Sequence, residues 1–198
     1  MSVDQPYHHG SLRQVLLASA ENTLEREGAD GLSLRRLARE AGVSHAAPSK
    51  HFRDRRALMD ALAESGFHRL TGALAEAVAD ARPDARARFA ALADAYVGFA
   101  SAHPALLALM YGTKHAPGAP ERLTAAGRES MDLTVRIVTE AQEAGDIGPG
   151  DPDRIALVAF ATFHGIATLA AGDMLDGAPV DEVVRAASDL FWGGLART

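Results

Sequence analysis

Seven cationic side chains fall within 24 residues of this chain: Arg35, Arg36, Arg39, Lys50, Arg53, Arg55 and Arg56, all between Ser33 and Arg56, opposed only by Glu40 and Asp54. The local excess is +5, in a chain whose formal net charge is −6 and whose residues 71–198 carry −7. Guanidinium and ammonium groups at this density neutralise phosphates. The attraction is a property of the local surface, so overall acidity does not oppose it, although it excludes a protein that coats nucleic acid without selection. The plainer reading of any one of these arginines is a solvated helix face. Other chemistry is poorly supplied. Adjacent His8 and His9 cannot share one helix face as ligands spaced by four would, so they read as a polar arm and not as a metal site. There are no cysteines, and no glycine-rich phosphate loop, nucleophile elbow or paired His-Glu motif. The chain is therefore expected not to be an enzyme and to need no cofactor or metal.

The elements that position the cations follow from local signals. Ser33 is a good N-cap, and Leu34, Leu37, Ala38 and Ala41 recur on one face of a short helix that Gly42 ends. Ser44 then predicts the cap of a second helix. Ala38, Gly42 and the apolar residue at 48 have the spacing of a helix-turn-helix, whose second helix enters a DNA major groove. Before it, a polar arm ends at Gly10 with Ser11 as a candidate cap. A first helix follows with Leu12, Leu16, Leu17, Ala20 and Leu24 inward, Glu21, Glu25 and Arg26 towards solvent, and Gly28 at its end. Phe52 closes the small core. Asp54 caps a long helix through Leu58, Leu62, Phe67, Leu70, Leu74 and Val78, long enough to join two domains.

Beyond Pro83 no stretch alternates as a strand does, and turn signals delimit helices at about 85–102, 104–111, 120–144, 152–171 and 180–196, the fourth started by Asp151 and Pro152. The fold class is all-α. The expected division is a DNA-binding domain over residues 1–54 and a helical effector-binding and dimerisation domain over 55–198. Segment 152–171 is apolar almost all round, so one chain does not suffice to cover it. With the amphipathic segment 180–196 it forms half of a bundle that a two-fold dimer completes, with Ala161, Gly165, Thr168, Val184, Leu190 and Phe191 as candidate interface residues. Phe99, Met110, Tyr111, Phe160, Phe163 and His164 are candidates for an apolar effector pocket, and at helical spacing they also read as core. His164 is either a core histidine with a fixed protein partner or a polar group facing a ligand. No apolar run approaches the length of about 20 residues that a membrane helix needs, and no signal segment opens the chain. The expected location is the cytoplasm, with no membrane partner.

With a capped first helix carrying Ala20 and Gly28, then SLRRLAREAGVS, KHF and a helix starting at Arg55, the chain resembles the TetR family of bacterial transcriptional regulators, most closely over residues 8–62. FHG at Phe163 to Gly165 resembles the C-terminal domain of a branch named for a Trp-His-Gly motif, with Phe163 in place of the tryptophan. The resemblance implies a homodimeric repressor that binds double-stranded operator DNA and is released by a small-molecule effector of unknown identity. It implies that Ser33 and Ser44 cap helices whose N-termini face phosphates, that His45, Ala46, Ala47 and Lys50 lie towards the groove, and that His51 and Arg55 approach the DNA backbone; Arg35 and Arg36 join this set through their charge. Pro48 stands where the family often has leucine, and Ser49 where it often has a phosphate-contacting tyrosine. Two alternatives stay open on the residues alone: an all-helical ligand-binding protein or enzyme with a vestigial basic domain, and an activator or architectural DNA binder.

Overall fold

Asp, Pro and Gly punctuate the chain into eight α-helices among the residues that the computed structural model describes, which are 9–195, with side chains from residue 12 onward. They are α1 (His9–Glu27), α2 (Leu34–Glu40), α3 (Arg55–Asp80), α4 (Ala85–Ala102), α5 (Pro104–Lys114), α6 (Glu121–Ala144), α7 (Pro152–Ala171) and α8 (Val180–Leu195). The expected all-α class holds, and the helix boundaries fall close to the turn signals. Two expected caps and a third at a turn signal form in atomic detail. Asp54 accepts from the Ala57 amide at 2.7 Å, Asp84 from Ala87 at 2.8 Å, and Asp151 from Asp153 and Arg154 at 3.1 and 3.4 Å. Each satisfies amides that the first helical turn leaves without a partner. α1 already includes His9, Gly10 and Ser11, so the expected arm ending at Gly10 and the Ser11 cap are corrected, and the residues before His9, His8 among them, lie outside the described ones.

The helices pack into two compact units, one taking in the chain up to Gly66 together with Ala105–Leu123, the other Phe67–Pro104 with Thr124 onward. In the first unit, Leu16, Ala20 and Leu24 of α1, Leu37 and Ala38 of α2, Phe52, Leu58 and Leu62 are all at most 2% exposed, and α5 adds Leu106 and Met110. Gly66 permits a close approach. A Cβ there would lie 2.6 Å from Met110 Sδ, so the bare backbone of α3 is what lets α5 seat its methionine. Glu25, expected to face solvent only, instead accepts from the α5 amides of Ala105 and Leu106 at 3.3 and 3.1 Å. α5 begins at Pro104 after His103 and has no capping residue of its own. That missing local cap is the sequence signal for a cap supplied by another helix.

The second unit is built on contacts among α4, α7 and α8. Phe89 of α4 is its centre, stacked on Phe191 at 5.1 Å and meeting Phe163 at 5.9 Å and Trp192 at 5.7 Å. α7 has 20 residues and a mean hydropathy of 1.5 over its apolar stretch, so by length and composition it is long enough to cross a membrane. The expectation that no run reaches that length is corrected. Only 28% of the stretch is buried, leaving Leu157, Val158 and Leu169 outward on α7, with Leu190 outward on α8 at 77% exposure.

Candidate nucleic-acid interface

α2 ends in a Schellman motif. Gly42, at φ +65°, lets its amide reach the Arg39 carbonyl at 3.2 Å while the Val43 amide reaches Ala38 at 2.9 Å. The chain so redirected does not form the second α-helix expected from Ser44. Residues 45–47 are a turn and Pro48–Lys50 a single 3₁₀ turn. Pro48 is the cause. In an α-helix the amide of residue 48 would bond to the Ser44 carbonyl, and proline has no amide to give. The Ala47 amide takes that carbonyl instead, at 2.9 Å, one residue early. Lys50 then bonds to Ala47 at 3.2 Å and His51 to Pro48 at 2.9 Å, which continues the tighter pattern. The Pro48 ring is buried as the spacing requires, and Phe52 beneath it is 2% exposed with the Arg13 guanidinium 5.6 Å from its ring centre.

The turn presents His45, Ala46, Ser49 and Lys50 to solvent, while Ala47 and His51 are partly covered. Ser44 is exposed. Ser33 has the extended backbone of an N-cap and its carbonyl receives Leu37, but its side chain makes no capping bond, which corrects the expected cap in its side-chain half. Arg35 and Arg39 are exposed. Arg36 is not a free cation. It bonds to both oxygens of Glu27, one of them at 2.6 Å, and to Glu40 at 2.7 Å, while Ser19 donates to Glu40 at 2.6 Å. Arg55 is likewise engaged, donating to the Ala29 carbonyl at 2.6 Å and lying 3.4 Å from Asp30. Arg53 pairs with Asp54 at 3.1 Å and Arg56 with Asp60 at 3.0 Å. Part of the +5 is thus spent within the fold, and Arg35, Arg39 and Lys50 carry the exposed remainder. Sequence reading missed Glu27 and Glu40 as the groups that fix Arg36. The Arg36–Glu40 spacing of four was the legible half of that signal.

The Arg36 hydrogen bonds, reinforced by those of Arg26, hold the Glu27 carboxyl at about 2 instead of 4.5, and Ser19 with Arg36 lowers Glu40. A carboxyl depressed by folding adds stability above its unfolded value, and this stability is lost as pH falls from about 4.5 towards 2. Arg36→Ala is therefore expected to return Glu27 towards 4.5 and to flatten the acid dependence of unfolding in that window, as read by carboxyl-detected NMR titration and acid denaturation.

The candidates further along the chain distribute differently. Met110 and Tyr111 belong to the first unit, and Met110 is fully buried. In the second unit Phe163 is committed to the Phe89 cluster, and Phe99 lies 5.8 Å under the Arg69 guanidinium and 5.0 Å from His103. His164 Nδ1 lies 2.8 Å from the Tyr96 hydroxyl, and its ring stacks 5.1 Å from Phe160. Burial lowers its pKa and so favours the neutral imidazole. The Tyr96 hydroxyl is a fixed protein partner, as the core reading of His164 requires. Neither cavity described in this unit is lined by Phe99, Phe160, Phe163 or His164. Of the interface candidates, Ala161, Thr168 and Leu190 are exposed, Gly165 and Phe191 half-buried, and Val184 is 2% exposed in its own unit. Val184 is thereby removed from the set, because it faces α4.

Residues 16–62 match the family described as bacterial regulatory proteins, tetR family, and residues 89–191 match the family described as tetracyclin repressor-like, C-terminal domain. The chain is 32% identical over 190 residues to the class A tetracycline repressor protein from transposon 1721 of Escherichia coli, covering 89% of this chain and 79% of that protein. A solved protein of unknown function from Rhodococcus sp. RHA1 is 79% identical, with a TM-score of 0.93 and coverage of 98% of this chain and 100% of that one. A putative tetR family transcription regulator from Shewanella sp. PV-4 has the same fold, with a TM-score of 0.69 at 19% identity over 94% of this chain and 99% of that one. The basic turn held on a glycine-ended helix and the matches over both parts of the chain agree: this protein belongs to the TetR family, and is a ligand-responsive, DNA-binding repressor of transcription and not an enzyme.

Proposed function

We propose that the protein acts in the cytoplasm as a homodimer, with residues 1–54 on double-stranded operator DNA and residues 55–198 serving dimerisation and a small-molecule effector. One observation supports the DNA contact above all. The turn that replaces the second helix exposes His45, Ala46, Ser49 and Lys50 while Pro48 is buried. Lys50 is suited to a guanine edge or a phosphate and Ala46 to a thymine methyl. Arg35 and Arg39 add exposed charge nearby in sequence.

The dimer is supported by the outward Leu157, Val158, Leu169 and Leu190, an apolar stripe of the kind that soluble chains cover with a partner. Ala161, Gly165 and Thr168 lie along the same helix and permit close approach. Two-fold pairing presents two reading edges to half-sites one helical turn apart, about 34 Å. An effector that binds better to a dimer with another spacing shifts the population away from DNA. Footprinting of the purified protein on DNA flanking its own gene is the test. Two protected half-sites related by a two-fold axis, released on adding effector, are the expected result. A single unsymmetrical protected stretch, or none, overturns the reading.

A further inference from the structure

The second unit has a groove that the DNA-binding reading does not use. α4 and α8 enclose a cavity of about 380 Å³ whose floor includes Val97 and Val184, 3% and 2% exposed. That volume is at the small end for ligand pockets. Three carboxylates and one arginine line it, and two of the carboxylates are satisfied: Asp189 by Arg86 at 2.8 Å, and Asp181 by Arg185 at 3.5 Å. Asp94 makes no hydrogen bond or close ion pair with any described residue. Asp94 is exposed at the mouth of the groove, and its partial desolvation raises its pKa, with Arg185 acting against this and Asp181 adding to it; three carboxylates face two guanidinium groups, so the groove carries one negative charge in excess. Ser188, on the α8 wall, is 7% exposed, and its hydroxyl has no hydrogen-bond partner among the described residues.

We propose that the groove between α4 and α8 binds a small organic ammonium ion, its N–H groups donated to the Asp94 carboxylate and the Ser188 hydroxyl and its apolar part laid on Val97 and Val184. The chemistry selects this class. Three carboxylates against the two guanidinium groups that pair with them disfavour an anion. A divalent metal ion would need several oxygen ligands, whereas Asp181 and Asp189 already hold arginines. One unpaired carboxylate beside a hydroxyl over an apolar floor suits a single positive charge on a hydrocarbon frame.

The full chain, without DNA, is titrated with phenethylamine, with its neutral counterpart 2-phenylethanol and with the anion 3-phenylpropionate, by calorimetry and by NMR shifts of the α4 and α8 amides. Saturable binding of one phenethylamine per chain is expected, with 2-phenylethanol at least about tenfold weaker and the carboxylate not bound. Asp94→Asn, which keeps the shape and removes the charge, is expected to weaken the amine about tenfold with the circular dichroism unchanged. Ser188→Ala is expected to weaken it several-fold. No saturation at millimolar amine, equal affinity for amine and alcohol, or an amine affinity untouched by Asp94→Asn would each overturn the assignment. DNA binding is absent from this assay, so its outcome is independent of the operator reading.

Discussion

Leu157→Glu combined with Leu190→Glu is expected to leave a 20.8 kDa monomer that no longer protects operator DNA. Both side chains are outward in the isolated chain, at 56% and 77% exposure, so the substitutions remove nothing from its own core. Within a two-fold interface each glutamate is repeated on the partner, and four unpaired charges would have to leave water. Disruption of a central interface contact costs about 2–4 kcal/mol, and each 1.4 kcal/mol is a factor of about ten in the dimer constant. Sedimentation equilibrium, with helicity checked by circular dichroism, reads the outcome. Phe191→Glu would be a poor substitute, because Phe191 stacks on Phe89 and its loss would unsettle the fold as well. A wild-type chain that is already monomeric at micromolar concentration would remove the dimer from the proposal.

Lys50→Ala is expected to weaken operator binding by about 1–3 kcal/mol if the ammonium reads a base edge, or to reduce the salt dependence by about one phosphate contact if it does not. Lys50 is exposed and has no described partner, so unfolding is expected to change by less than about 0.5 kcal/mol. Affinity measured across a salt titration separates the two roles. Wild-type binding at every salt concentration would place Lys50 outside the interface. Arg55 gives a less direct answer, because its guanidinium also holds the Ala29 carbonyl, and its removal changes the protein before DNA is added.

The boundaries of most helices and the glycine that redirects the chain at residue 42 were legible because each depends on neighbours within four or five residues, whereas one of the nine expected helices did not form. The pattern failed where distant residues compete. Arg36 looked like a phosphate ligand until Glu27, nine residues earlier, was brought beside it, and Glu25 looked like a surface charge until α5 arrived with bare amides. Val184 and Leu190 belong to the same amphipathic helix, and periodicity placed both on its apolar face. It does not say which neighbour covers which part of that face. α4 takes Val184 and leaves Leu190 outside. The failed second helix was different in kind. Pro48 was read as a residue that fills the inward position, and the carbonyl it leaves at Ser44 decided the backbone instead.

Pro48 also bears on how this protein changes over generations. Its ring fixes one backbone angle covalently and occupies the buried position, so the frame of the turn depends little on what stands at 45, 46, 49 and 50. Those four side chains point outward and make no described contact that the fold requires. They are free to be exchanged, one mutation at a time, without a loss of stability that would remove the variant before selection could act on its new operator. A regulator built in this way can drift towards new target genes through its exposed positions, while a substitution at residue 48 alters packing and backbone together and so changes the frame on which those positions sit.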